Sequence, residues 1–440
     1  MTRKIRSAAV VALGAGIALA VAGCSSSGGG TDNNTGSTGG DTSKPVSMTL
    51  WTNATTGPGA KFFEDTVASF HTKYPNVTIK IQTVQNEDLD GKLQTALNSG
   101  DAPDIFLQRG GGKMKAMVDA GQLLDITDSV APETKDKVAA GAFAAETIDN
   151  KLYAMPASVL PGGFFYSKDL LTAAKVSAFP TSLDELNSAV TAIKGTNKDA
   201  IALGGKDAWP AAHWYYWFAL RECSQDALNS TAKSLKFEDE CWTRAGNDLK
   251  TFAATKPFNN GFLTTSAQQG ANSSAGLVAN HKAAMELMGA WDPGVIGSLT
   301  PDKKALPDLA FSPFITVPNG QGDPKAIMGG VDGYSCSAKA PKQACTDFLN
   351  YLASTDIQKA YYTAFQAPPV NKDAQALVTD QITKDVINAF NSAPYVSQWL
   401  DTLYGQNVGN ALNTAVVNLL AGKGDVAGII SAVNAAAAKG

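Results

Sequence analysis

The chain has 440 residues, 44% of them hydrophobic and 17% charged, with 36 Lys and Arg against 40 Asp and Glu. A chain this long outgrows one hydrophobic core, so at least two lobes are expected. Its formal charge of −4 leaves no basic stripe to displace counterions, which excludes a nucleic-acid partner.

Arg3, Lys4 and Arg6 precede an apolar run from Ala8 to Ala22, followed by Gly23-Cys24. A basic start, a short apolar centre and a small-residue end make a secretory signal; a membrane span would need about 20 apolar residues. Val21-Ala22-Gly23-Cys24 resembles the bacterial lipobox, which implies cleavage before Cys24 and a diacylglycerol on that cysteine. Residues 1–23 are then a lipoprotein signal peptide holding three cations and no carboxylate, so their loss takes the charge from −4 to −7. Residues 24–45, dominated by Ser, Gly and Thr, have nothing to bury and read as a flexible tether.

Ser47–Thr52 alternates and reads as a strand. Phe63, Val67, Phe70 and Tyr74 recur with the period of an amphipathic helix, which Pro75-Asn76 ends. Val77–Val84 is a second strand, Leu89, Leu93, Ala96 and Leu97 mark a second helix, and Asp104–Gln108 is a short buried strand. This strand–helix–strand–helix–strand order predicts right-handed crossovers and a parallel sheet. The pattern restarts after Met155-Pro156 with a strand at Phe164–Ser167, helices over 182–194, 209–221, 242–254 and 276–280, and a strand at Phe311–Val317. Pro341 opens another helix, Thr355-Asp356 caps the next, and Val396–Lys439 reads as helical. The fold class is α/β, with two lobes, each a mostly parallel sheet flanked by helices.

With Cys24 assigned to lipid, Cys223, Cys241, Cys336 and Cys345 remain, and four cysteines allow three pairings. Both close pairs flank short loop-like stretches, which favours Cys223–Cys241 and Cys336–Cys345 as local staples in an oxidising space. A zinc site would need CxxC spacing or histidine partners, and neither is present.

Catalytic motifs are missing. The sequence holds no GxSxG elbow, Walker A loop or HExxH, and Gly110-Gly111-Gly112-Lys113 lacks the remainder of a phosphate loop. His71, His213 and His281 read as surface or structural residues. Glu286 and Asp292 could serve a glycosidase only if they flanked a bond at a defined separation. No metal and no cofactor are expected.

Binding residues are better represented. Trp209, Trp214, Tyr215, Tyr216, Trp217 and Phe218 fall within ten residues. Trp214, Trp217 and Phe218 can form a buried face while Trp209 and Tyr215 point elsewhere. Flat aromatic faces pack on sugar rings, and amide, carboxylate and guanidinium groups bond the hydroxyl rims. Polar residues also gather after successive strands: Asn53 and Thr55 behind Trp51, then Asn86, then Gln108 and Arg109. Ligands of open α/β sheets bind at such strand ends.

The order of segments resembles the bacterial extracellular solute-binding proteins of family 1, the lipid-anchored receptors of carbohydrate ABC importers with a maltose-binding-protein-like, type II architecture. The resemblance rests on Phe63–Pro75 (FEDTVASFHTKYP), Leu93–Phe106 (LQTALNSGDAPDIF), Lys151–Pro156 (KLYAMP), Lys282–Asp292 (KAAMELMGAWD), Gly329–Gly333 (GGVDG) and Pro369–Asp373 (PVNKD), in family order. It implies an N-terminal lobe of residues 46–157 and 329–367 and a C-terminal lobe of 158–328 and 368–440. The chain would cross between them near Pro156–Ser158, Met328–Val331 and Gln366–Pro369. Trp291 would stack on a sugar ring, Asp292 would accept from hydroxyls, and Ser158 and Asp332 would lie near the hinge. The implied protein is a monomer on the outer face of the membrane. It closes on a di- or oligosaccharide and passes it to the transmembrane subunits of an ABC permease. Two alternatives stand: the same fold holding a non-sugar solute, for which a polyamine would favour an acidic aromatic box, and a secreted glycosidase.

Overall fold

The computed structural model describes residues 44–439. The signal, the lipid-modified Cys24 and nearly all of the tether expected from the sequence lie outside them.

Eleven strands occur among the described residues. They are β1 Val46–Thr52, β2 Val77–Thr83, β3 Ile105–Gln108, β4 Thr147–Ile148, β5 Lys151–Leu152, β6 Met155–Ser167, β7 Asp199–Ala202, β8 Ala283–Gly289, β9 Leu309–Ser312, β10 Ile327–Cys336 and β11 Val396–Gln398. Nine form one sheet in the order β2-β1-β3-β10-β6-β8-β7, with β11 added to β10 and β9 to β6, while β4 and β5 make a separate hairpin.

The first three strands are parallel, as their helical crossovers require. The two long strands break that rule, since β10 runs antiparallel to both β3 and β6. β6 pairs with β10 from Met155 to Pro161, then with β8 and β9 from Gly162 to Ser167. A single strand therefore passes from one half of the sheet to the other. The sequence reading gave only its second half, because Pro156 and Pro161 argue against an interior strand. Two other boundaries also differ. The strand expected over Phe311–Val317 ends before Pro313, and Val396 opens β11 before the helices Gln406–Leu420 and Val426–Ala437 begin.

Each half of the sheet carries its own core. One gathers Leu50, Phe63, Phe70, Ile105, Phe348 and Val370; the other gathers Phe164, Trp214, Trp217, Trp242, Leu412 and Ile429. The molecule is thus a two-lobed α/β protein, a central sheet flanked by helices on both sides of a crossing.

Local chemistry sets several element ends. Ser182 accepts the Glu185 N–H, and the Glu185 carboxylate accepts the Thr181 N–H at 2.8 Å, a reciprocal cap for helix Leu183–Lys194. Helix Asn86–Ser99 stops at Gly100, whose φ of 84° is open to glycine at little cost.

Helix Trp209–Glu222 corrects an expectation. Every residue from Pro210 to Glu222 is buried, so the helix is enclosed all round rather than along one stripe. Tyr215, expected to point elsewhere, donates to the Trp242 carbonyl at 2.9 Å inside the core. At the end of this helix Arg221 donates to the carbonyls of Phe314, Ile315, Asp323 and Ala326, which ties the loop before β10 to the core. The disulfides are Cys223–Cys241 and Cys336–Cys345, the two local pairs.

Candidate functional site

The carboxyl ends of β1 and β3 and the start of the helix after β2 bring polar side chains to one place. Asn53 Nδ2 donates to Asn86 Oδ1 at 3.2 Å, and Arg109 Nη2 donates to the same oxygen at 2.7 Å. Arg109 also faces Asp90 at 3.5 Å and Asp332 at 3.9 Å, while Lys113 pairs with Asp90 at 2.6 Å. Four residues expected from the sequence, Asn53, Asn86, Arg109 and Asp332, therefore meet in one network. Asp90 and Lys113 complete it and were missed, because each is an ordinary helix-surface charge when read along the chain.

Electrostatics follow this pairing. Burial would raise the Asp90 carboxyl, but Arg109 and Lys113 outweigh it and hold the group below its ordinary range. Asp332 stays raised, since burial exceeds the pull of Arg109 and Asp90 repels it. Glu146 is fully buried beside Asp332, and neither of its oxygens has a hydrogen-bond partner among the described residues. Burial, then the Asp332 charge, pushes it well above the usual carboxylate range.

The other lobe contributes rings. Trp291 lies 6.1 Å from Trp209 and 6.0 Å from Trp399 between ring centroids, both near edge-on. Trp399 stacks on His213 at 4.2 Å, and Trp209 also meets His213 at 5.1 Å. The indole nitrogens of Trp209, Trp291 and Trp399 and Nδ1 of His213 have no partner among the described residues. Burial lowers His213 to about 4, so the imidazole is neutral at physiological pH.

Glu286 stands on β8 and Asp292 at the start of helix Asp292–Leu299. Both are buried and face one another, with Ser274 beside Glu286. Burial raises both groups, and the Asp292 charge raises Glu286 further.

Two further hydrogen bonds connect segments distant in sequence around this network. Gln398 Nε2 donates to the Arg109 carbonyl at 2.7 Å, and the next residue is Trp399. Gln269 Nε2 donates to Gln85 Oε1 at 2.9 Å, and Gln85 in turn reaches Thr55 at 3.5 Å. The Gly110-Gly111-Gly112 run has a structural use here. A Cβ on Gly112 would lie 2.6 Å from the Leu403 carbonyl, so only glycine lets this helix start approach the 398–405 segment.

Other expected residues sit elsewhere. Trp214 is fully buried among Phe164, Phe252, Phe258 and Phe314, and cannot present a face to a ligand. Trp51 packs against the first-lobe core within β1. Gln108 turns inward, accepting the Arg109 N–H at 2.9 Å and facing the Met117 sulfur. Ser158 is buried and donates to the Pro368 carbonyl at 3.1 Å, which fastens the crossing. Sequence reasoning missed Trp399 and His213. The available signal was glycine on the crossing strands, because a Cβ at Gly162 would fall 2.5 Å from the Trp399 ring and one at Gly330 3.0 Å from it.

A cavity of about 30 Å³ beneath Arg109 is lined by Asp90, Gln108, Lys113, Met117 and Gln406. A larger concavity of about 400 Å³ between the last two helices shares none of these residues. Among the described residues no group of three or more His, Cys, Asp or Glu is arranged to hold a metal, and no helix is long and apolar enough to cross a membrane.

Residues 53–359 match the family model for bacterial extracellular solute-binding proteins. Among solved structures, one from work on xylan utilisation by Caldanaerobius polysaccharolyticus is similar at a TM-score of 0.81 and 24% identity, covering 89% of this chain and 99% of its own. A chitin oligosaccharide binding protein is similar at 0.81 and 24%, covering 90% and 98%. A sugar transporter of Bacillus licheniformis in complex with stachyose is similar at 0.71 and 17%, covering 89% and 98%. Among curated proteins none matches the chain. The match spans well over half of the sequence and the two-lobed fold agrees with it, so the chain belongs to the bacterial extracellular solute-binding protein family.

Proposed function

We propose that this protein is the lipid-anchored receptor of an ABC importer, capturing a di- or oligosaccharide between its lobes and delivering it to the membrane permease. The observation that carries the reading is the pairing of surfaces. The tryptophans Trp209 and Trp291, backed by the buried Trp399, offer rings, and the network of Asn53, Asn86, Arg109 and Asp332 offers hydrogen bonds; in this reading the two line opposite walls of the ligand site. Apolar ring faces matched to a polar rim suit a pyranose, whose C–H faces stack while its hydroxyls bond outward. The related structures named above include proteins that hold chitin oligosaccharide and stachyose, in keeping with this ligand class.

In this reading the first lobe comprises residues 46–157 and 329–367, and the second 158–328 and 368–440. Ligand tightens the closed form by differential affinity and no covalent step is involved. A glycosidase would need a water or sugar carbon between two carboxyls. Glu286 and Asp292 instead lie buried against each other, which argues for binding without turnover. The lipid on Cys24 accounts for localisation on the outer face of the cell membrane, with the protein acting as a monomer.

Titrating tryptophan fluorescence with a panel of oligosaccharides tests the proposal. A saturable change with at least one sugar is expected, and silence across the panel would remove the carbohydrate assignment. Mass spectrometry of the mature N-terminus tests the anchor, with a diacylglycerol on Cys24 as the expected result.

A further inference from the structure

The nine-stranded sheet ends in β2 on one side and in β7 on the other. Gln85 lies just beyond β2, and Gln269 lies in the segment that leads from β7 back to β8. Despite these opposite places in the sheet, Gln269 Nε2 donates to Gln85 Oε1 at 2.9 Å. The crossing strands β10 and β6 lie three strand steps from β2 and two from β7, roughly 14 Å and 10 Å at ordinary strand spacing. Residues at both extremes of one sheet meet in this way when its halves fold toward each other about the strands that join them. The contact therefore spans the space between the halves, away from the crossing.

Both amides are exposed, yet each is held from behind. Gln85 Nε2 reaches Thr55 Oγ1 at 3.5 Å, and the next residue, Asn86, belongs to the polar network. On the other side the Ala267 N–H donates to Asp207 at 2.7 Å, Ser274 Oγ donates to the Ala267 carbonyl at 3.0 Å, and Ser266 Oγ donates to the Gln269 carbonyl at 3.3 Å. A Cβ on Gly204 would fall 2.5 Å from Ala267 Cα, so the segment sits tightly on the residues after β7. Neither partner carries charge, which makes the contact indifferent to salt screening.

Resting on the capture reading above, we propose that Gln85 and Gln269 form a clasp across the mouth of the cleft, and that this clasp sets how fast a captured sugar leaves. Hinge rotation moves atoms in proportion to their distance from the axis. The clasp therefore breaks at a smaller opening than contacts beside the crossing, such as Gln398 on the Arg109 carbonyl. A sugar held by Asn53 and Asn86 steadies the Gln85 side of the clasp, and the lobes must release the amide pair before the sugar can go.

The test compares the full mature chain with Gln85→Ala, Gln269→Ala and the double variant. Stachyose, chitotetraose, xylotetraose and maltotetraose are the probes, with release followed by stopped-flow tryptophan fluorescence at neutral pH. One ordinary hydrogen bond corresponds to about two- to tenfold. Each single substitution should speed release by that factor, equally at low and high salt, with little change in the capture rate. The double variant should match either single one, because all three break the same bond. Unchanged release, or two single effects that simply add, overturns the clasp and leaves the sugar receptor intact. A second measurement needs no sugar: Gln85→Cys with Gln269→Cys, treated with a short bismaleimide, should yield a link between positions 85 and 269 of one chain by peptide mass spectrometry. Failure to link overturns the clasp on its own. Linking without a saturable response to any of the four probes or the wider sugar panel upholds the contact and overturns the sugar reading.

Discussion

Trp399 lies flat on His213, with ring centroids 4.2 Å apart and planes 13° apart, and both rings are buried where the crossing strands meet the second lobe. Gly162 and Gly330 leave the indole its space. The pair therefore serves two purposes, filling the floor of the crossing and placing an aromatic edge against Trp291. Trp399→Ala should cost about 3–5 kcal/mol of stability, as large core truncations do, and should also weaken sugar binding. Denaturant melts and fluorescence titration read the two effects separately. Full stability in the variant would mean the ring is not packed as described.

Arg109 is the cation on which the polar wall depends. Arg109→Gln removes the donor to Asn86 and leaves Asp332 without its nearest positive charge. Breaking a charge-assisted contact of this kind costs roughly 1.5–3 kcal/mol, or about ten- to a hundredfold in affinity. Calorimetric titration with the cognate sugar measures it, and a loss below threefold would place the ligand away from this network.

The carboxyl pair gives the protein a pH signature. Burial raises Asp292 to about 7, and burial together with Asp292 raises Glu286 well above the ordinary range. Both groups keep protons in the folded chain that the unfolded chain has already released. Stability therefore falls as pH rises from the ordinary carboxylate range through neutrality. His213, lowered to about 4 by burial, works in the opposite sense, costing stability as pH drops below about 6.5. Asp248, raised to about 7 by burial and then by Glu222, adds to the fall near neutrality. Between about pH 6.5 and 8, where the free imidazole is mostly neutral, the melting temperature should decline, and less steeply in Asp292→Asn. A variant slope matching that of the unaltered chain would contradict this account of the pair.

Cys223–Cys241 joins positions 18 residues apart at the end of the most buried helix. Closing a loop of that size constrains the unfolded chain by about 3 kcal/mol. Replacing both cysteines with serine should lower stability by that order in a chemical melt. The shorter Cys336–Cys345 link, with a separation of 9, should matter less.

Much of the fold was legible because local pattern and tertiary outcome agree. Phe63 and Phe70 repeat at helical spacing and are buried, and β1, β2 and β3 fall where alternation and apolar runs put them. Legibility failed where long-range packing overrides local rules. Pro156 and Pro161 would ordinarily interrupt a strand, but β6 carries them through the crossing with β10 alongside. Tyr215 looked like the outer face of an amphipathic helix, but helices on several sides leave that helix no outer face. The site divided in the same way. Residues after the strands, Asn53, Asn86 and Arg109, could be named because topology brings strand ends together. Trp399 and His213 could not, since their contact depends on how the C-terminal segment folds back onto the crossing. Trp214 shows the converse, a tryptophan with suitable chemistry that the core consumes.

The central claim is reversible capture of a sugar between the lobes. Isothermal titration of the purified mature protein with the oligosaccharide panel, followed by mass spectrometry of the recovered ligand, tests it most directly. One saturable site per chain is predicted, with the sugar returned at its original mass. Release of shorter sugars, or no heat and no bound sugar across the whole panel, would contradict it.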